Sequence, residues 1–139
     1  MKRIFSVTYH DTPIDLALLI LRVGASIFMI HHGYGKMTHF AEMQEKFINF
    51  LGFSGSVSLC LTIFAEFFCS IALLLGFMTR IVSIPLLFTM LVAIVIAHKG
   101  DIFGDGEHAT LYLLIYTALL IAGPGRYSTD ALISKSLSK

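Results

Sequence analysis

The chain has 139 residues, of which 56% are hydrophobic and 14% charged, with a formal net charge of +1 and a mean hydropathy of +0.81. Such a balance leaves no polar segment long enough to fold in water alone. The near-zero charge also excludes the basic surface that nucleic-acid binding requires.

Four apolar stretches fill most of the sequence, and nearly every ionisable residue lies between them or at their ends. A helix needs about 20 apolar residues to cross the ~30 Å hydrocarbon core of a bilayer, and in lipid its backbone must bond to itself. The pattern predicts an all-α, four-helix transmembrane bundle in one domain, 1–139, with spans at about 14–35, 57–76, 81–98 and 107–123.

The first stretch opens on Thr12-Pro13-Ile14-Asp15, which reads as a capping threonine, a first-turn proline and a first-turn carboxylate. It contains Arg22 and has no small-x-small cleavage pattern behind it, so it reads as a transmembrane helix rather than a signal peptide. At 100° per residue, Arg22, Ala25, Met29, Gly33 and Lys36 share one face, with His32 at its margin and His31 nearly opposite Arg22. In the loop that follows, Phe40, Met43, Phe47 and Phe50 or Leu51 recur at helical spacing. That predicts a short helix lying in the membrane interface or folded over the top of the bundle.

The second stretch carries Ser58, Thr62, Glu66 and Ser70 at four-residue intervals, a polar stripe expected to face the bundle interior. Glu66 falls near the bilayer midplane, where a carboxylate costs several kcal/mol unless paired or protonated. Arg22, at a similar depth, is the partner this reading selects. Cys60 and Cys69 are nine residues apart, so they lie on opposite faces about 13 Å apart and cannot bridge within one chain. No Cys-x-x-Cys is present, which argues against a thiol relay.

Gly76 to Arg80 reads as a tight turn that makes the second and third helices antiparallel neighbours. The third stretch ends at Ala97-His98-Lys99, and a Gly- and Asp-rich turn leads to Glu107-His108 at the start of the fourth. These two stretches offer about 17 and 15 apolar residues, or ~25 Å and ~22 Å, less than the bilayer core. Their short length is expected to draw His98 and Glu107 below the interface, to converge with Lys36 and His32 above Glu66 in an outward-open polar cavity. Gly123-Pro124-Gly125 stops the fourth helix, and Ser128 is placed to cap a tail helix ending near Lys139.

Lys2, Arg3, Arg80, Arg126, Lys135 and Lys139 fall on one side, and Lys36, Lys46 and Lys99 on the other. By the positive-inside rule both termini are expected on the cytoplasmic side of the membrane.

The residues also carry a resemblance. Leu21-Arg22-Val23-Gly24 and His32-Gly33-Tyr34-Gly35-Lys36 are similar to the first-helix signature of the DoxX family of small bacterial membrane proteins. Ala65-Glu66 with the run from Leu73 to Arg80 resembles its second helix and turn. Ala97-His98, Glu107 and the segment from Gly123 to Asp130 resemble its later parts. The resemblance implies a four-helix transmembrane fold, and for some relatives a link to thiosulfate oxidation that delivers electrons to quinone.

Function is expected to be quinone-linked, as an oxidoreductase or a membrane subunit of one. Glu66, His32 and His98 are the candidate catalytic groups: a histidine donates to a quinone carbonyl and Glu66 relays a proton. Arg22, Lys36 and Glu107 are the candidate substrate-binding groups. The other readings are an assembly subunit or homodimer held by a buried ion pair, haem ligation by His32 and His98, small-anion or proton transport, and zinc at His98, Glu107 and His108.

Overall fold

The computed structural model describes residues 11–137, and helices are the only regular elements among them. We number them α1 (Asp11–Thr38), α2 (Phe40–Met43), α3 (Gly55–Leu75), α4 (Thr79–Ala97), α5 (Glu107–Ala122) and α6 (Thr129–Leu137). The helices α1, α3 and α4 are long and apolar enough to cross a membrane. The sixteen residues of α5 reach about 24 Å and lie antiparallel against α4.

Apolar side chains clothe the outside as well as the core. Phe28, Leu114 and Ile121 are each more than 60% exposed, as a lipid-facing surface requires. The interior is built on Ala25 and Met29 of α1, Cys69 and Leu73 of α3, Leu86, Met90 and Ile94 of α4, and Tyr116 and Leu119 of α5. Cys69 is buried and Cys60 exposed, as expected for opposite helix faces.

Two helices depart from α geometry. Residues Phe64–Cys69 of α3 and Ala93–Ala97 of α4 wind as π-helix, each widening its helix by part of a residue per turn. Pro85 sits inside α4, where the missing N–H is tolerated, and Thr89 Oγ1 donates to the Pro85 carbonyl at 2.8 Å.

The α3–α4 turn uses Gly76 at φ +67°, with Phe77 N–H donating to the Ala72 carbonyl at 2.9 Å in a Schellman closure. Asp130 then caps α4: its carboxylate accepts from Met78 N at 2.7 Å and Thr79 N at 2.9 Å. Ser128 accepts from Ala131 N at 3.1 Å, the expected cap of α6. At the same end Asp15 accepts from Arg126 N at 2.9 Å.

Two local expectations change. The first helix already includes Asp11, so Thr12 and Pro13 lie within it and the threonine is not its cap. The helix after α1 is only four residues long. Beyond it the chain runs irregularly to Ser54, with Leu51 at φ +51°, and folds over the bundle instead of lying flat as an amphipathic helix. The expected end of the tail helix near Lys139, and the charges of Lys2 and Arg3, lie outside the described residues.

Candidate functional site

Glu66 is eleven residues past the start of α3, on the π-helical turn, and is 4% exposed. Its partner is Lys36, not Arg22: Lys36 Nζ donates to Glu66 Oε2 at 2.5 Å. Arg22 instead runs the other way, donating through Nη1 to the Pro124 carbonyl at 2.6 Å and through Nη2 to the Tyr127 carbonyl at 2.5 Å.

Helix register, reinforced by side-chain direction, explains the exchange. Helical Cβ atoms tilt toward the helix N-terminus, and long side chains follow them. Arg22 therefore points toward the start of α1, while Glu66 on antiparallel α3 points the opposite way, toward the end of α1. Lys36, two residues before that end, leans back to meet it. Arg22 and Glu66 are also at different levels: Gly33 is the α1 residue beside Glu66, whereas Arg22, eleven residues earlier and about 16 Å away along the axis, lies beside Gly76.

Gly33 allows α1 to come this close. A Cβ there would meet Phe67 N at 2.7 Å and the Glu66 carbonyl carbon at 2.8 Å. Only a residue without a side chain lets the helices touch backbone to backbone beside the ion pair.

A cavity of about 860 Å³ opens beside this pair, between α3 and α4 and beneath the 44–54 segment. Lys36, Glu66 and His98 line it, with Lys46, Ser58, Thr62 and Thr89 as the remaining polar groups. Its walls are otherwise apolar and aromatic, including Phe47, Phe50, Phe64, Pro85 and Phe88. Phe50 packs edge-on against Phe88 with ring centroids 5.7 Å apart, and the Phe50 N–H is held by Ser58 Oγ at 3.2 Å. Leu61, Phe64, Phe88 and Ile96 line the cavity and are also exposed, so it opens sideways to lipid. Both π-helical segments contribute to its wall, through Phe64 to Glu66 and through Ala93, Ile96 and Ala97.

The six candidate residues thus divide. Lys36, Glu66 and His98 share the cavity. His32 is exposed and does not line the cavity; its ring is 6.4 Å from those of His31 and Tyr112, and it lies within electrostatic range of Lys36 and Glu66. Glu107 is exposed at the start of α5, and Arg22 anchors the opposite end of the molecule. The expected convergence of all four helices above Glu66 is therefore reduced to α1, α3 and α4. His32 does not line the cavity that His98 lines. Among the described residues no three His, Cys, Asp or Glu side chains converge on a common point, so His98, Glu107 and His108 form no zinc site.

Sequence reasoning missed the aromatic clamp of Phe50 and Phe88. The spacing of Phe47 and Phe50 signalled a buried face, and the structure turns it down into the cavity. Also missed were Tyr112 and Tyr116, stacked with centroids 5.9 Å apart inside the bundle. Their four-residue spacing on an otherwise apolar helix was the available signal.

A small helical membrane protein with a charged pair inside the bundle and a lipid-open cleft is the class these features define. Comparison of the sequence identifies which: residues 17–99 match the DoxX family, and the chain belongs to it. Among curated proteins, the chain is 33% identical over 128 residues to inner membrane protein YqjF of Escherichia coli (strain K12), covering 87% of this chain and 95% of that protein. No solved structure matches it. The family match takes in Lys36, Glu66 and His98, while Glu107 falls beyond it.

Proposed function

We propose that this protein binds an isoprenoid quinone in the α3–α4 cleft and serves a quinone-linked redox reaction in the bacterial inner membrane. The observation that carries the reading is a lipid-open, aromatic cleft with the Lys36–Glu66 pair set into its wall. A quinone needs an apolar slot, donors for its carbonyl oxygens and a source of two protons. Lys36 has three N–H donors and Glu66 takes one of them, so it has donors to spare for a carbonyl. His98 supplies a second polar group at the cleft, and Glu66 a carboxylate that can pass a proton. Phe50 and Phe88 offer faces for ring stacking, and the lateral opening admits a prenyl tail.

The two cysteines are on opposite faces of α3, so the chain has no dithiol of its own to supply electrons. In this reading a redox partner protein supplies two electrons, two protons arrive through the site, and quinone leaves as quinol. The α5 helix completes a four-span bundle, and the end carrying Asp11 and α6 faces the cytoplasm.

Titration of the purified protein in lipid nanodiscs with a short-chain ubiquinone or menaquinone tests this. Saturable binding is expected, weakened about 10- to 100-fold by Lys36→Met, the loss of one hydrogen bond from a charged donor. Arg22→Lys, at the far end, is expected to leave affinity unchanged. Absence of saturable binding would overturn the proposal.

A second reading is favoured by the same short ion pair: Lys36–Glu66 as a clamp between α1 and α3 in a non-catalytic assembly subunit. It requires that Lys36→Met combined with Glu66→Gln retain partner association and partner activity, whereas the quinone reading requires activity to be lost.

A further inference from the structure

The interior between the two charged sites holds an unusual set of hydroxyls. Five helical Ser and Thr side chains (Thr62, Ser83, Thr89, Thr110 and Thr117) satisfy themselves by donating to the carbonyl four residues back. Ser26 of α1, Ser70 of α3 and Tyr116 of α5 do not. All three are fully buried and their hydroxyl oxygens lack a partner of ordinary geometry, although Ser70 and Tyr116 are close enough to interact with each other; Thr79 Oγ1 is buried and unpartnered as well. The Nε of Arg22 is likewise buried and unpartnered. Each such group costs free energy in a bilayer interior unless something polar meets it.

Their placement is ordered. The α1–α3 register is pinned at one level by Gly33 against Glu66 and Phe67, and at another by Gly76 against Arg22. Ser26 and Ser70 both fall between those levels. On α5 the corresponding marks are Tyr112 beside His32 and Pro124 at Arg22, and Tyr116 falls between them. Tyr116 lies beside Ser70 and within electrostatic range of Glu66. Ser70 is four residues, about 6 Å, from Glu66, and Ser26 is about 6 Å from Arg22. Gaps of that size are spanned by one or two water molecules, each needing two or more polar partners.

We infer that Ser70, Tyr116 and Ser26 line a hydrated proton path through the bundle, joining Glu66 to the Arg22 end of the molecule. A proton enters from water at the end carrying Asp11 and α6 and hops along hydroxyls and internal waters. It neutralises Glu66 and leaves from it through the polar end of the cleft lined by Lys36, Lys46 and His98, and no electron moves. The path stands whether or not the cleft holds a quinone, because the transfer to and from the carboxylate needs no ligand. Lys36 Nζ occupies Glu66 Oε2, which restricts transfer at that point.

Proton flux into pyranine-loaded proteoliposomes, driven by a potassium–valinomycin potential without added quinone, tests it. Lys36→Met is expected to release Glu66 and raise flux at least several-fold above wild type. Adding Ser26→Ala and Tyr116→Phe is expected to return the flux to the wild-type level. No rise in Lys36→Met, or a rise that the hydroxyl substitutions leave intact, overturns the path. Thermal unfolding of Ser26→Ala with Tyr116→Phe in the wild-type background gives an independent readout. Removing hydroxyls that hold waters is expected to lower the melting temperature, whereas an increase would mark a dry, unpartnered interior and count against the path.

Discussion

Lys36, Glu66 and Arg22 show how the register between two helices decides which charges meet. Double-mutant cycles by unfolding in detergent are expected to give a coupling of about 1–3 kcal/mol between Lys36 and Glu66. Arg22 and Glu66, which share no partner, are expected to add within about 0.5 kcal/mol. Gly33 makes a sharper residue-scale test. In Gly33→Ala the new methyl meets backbone atoms of Glu66 and Phe67 that cannot rotate away. Destabilisation of about 1–3 kcal/mol is expected by the same measurement, the range for overpacking a tight contact. Gly24→Ala and Gly35→Ala, whose Cβ positions meet nothing within 4 Å, serve as controls and should be neutral or slightly stabilising. Glu66 and the stripe around it were readable from the sequence, because an acid amid apolar residues must turn inward. Its partner was not, since two cations on one helix face were both at plausible depth.

The elements are held together at one end by a polar lock built around Asp130 and Arg22. Asp130 satisfies two N–H groups at the start of α4, next to Met78 at φ +50°. Asp130→Ala is expected to cost about 0.5–2 kcal/mol, the value of a lost helix cap, read as a lower unfolding midpoint. Arg22 fills the space that a side chain at residue 76 would need, since a Cβ on Gly76 would meet Arg22 Nη1 at 2.6 Å. These contacts join the α3–α4 turn, the Gly123-Pro124-Gly125 stop and α6 to the base of α1. The sequence located the turn, the stop and the Ser128 cap from local chemistry. The lock itself joins residues more than 50 apart in the chain, which no local pattern encodes. The two π-helical segments were equally hidden. They shift the phase of a helix by packing demands, while the composition of Phe64–Cys69 and Ala93–Ala97 is ordinary for an apolar helix.

For the molecule as a whole, the polar lock and the open cleft lie at opposite ends of the bundle. The end with Asp11 and α6 is braced, whereas the end under the 44–54 segment is parted between α3 and α4. If the braced end is cytoplasmic, cysteines introduced for Leu137 and Phe103, 83% and 87% exposed, should label from opposite faces of the inner membrane. Leu137→Cys is expected to react with an impermeant maleimide only after the membrane is opened, and Phe103→Cys in intact spheroplasts. By itself the sequence determined the membrane class, the helical content, the inward polar stripe and the punctuation of the turns. Those follow from length, hydropathy and short-range hydrogen bonding, which act within a few residues. Only the tertiary structure decided that Lys36 holds Glu66, that His32 stands apart from His98, and that the loop aromatics close a cleft. Those outcomes depend on where separate helices touch and on which way long side chains lean once they do.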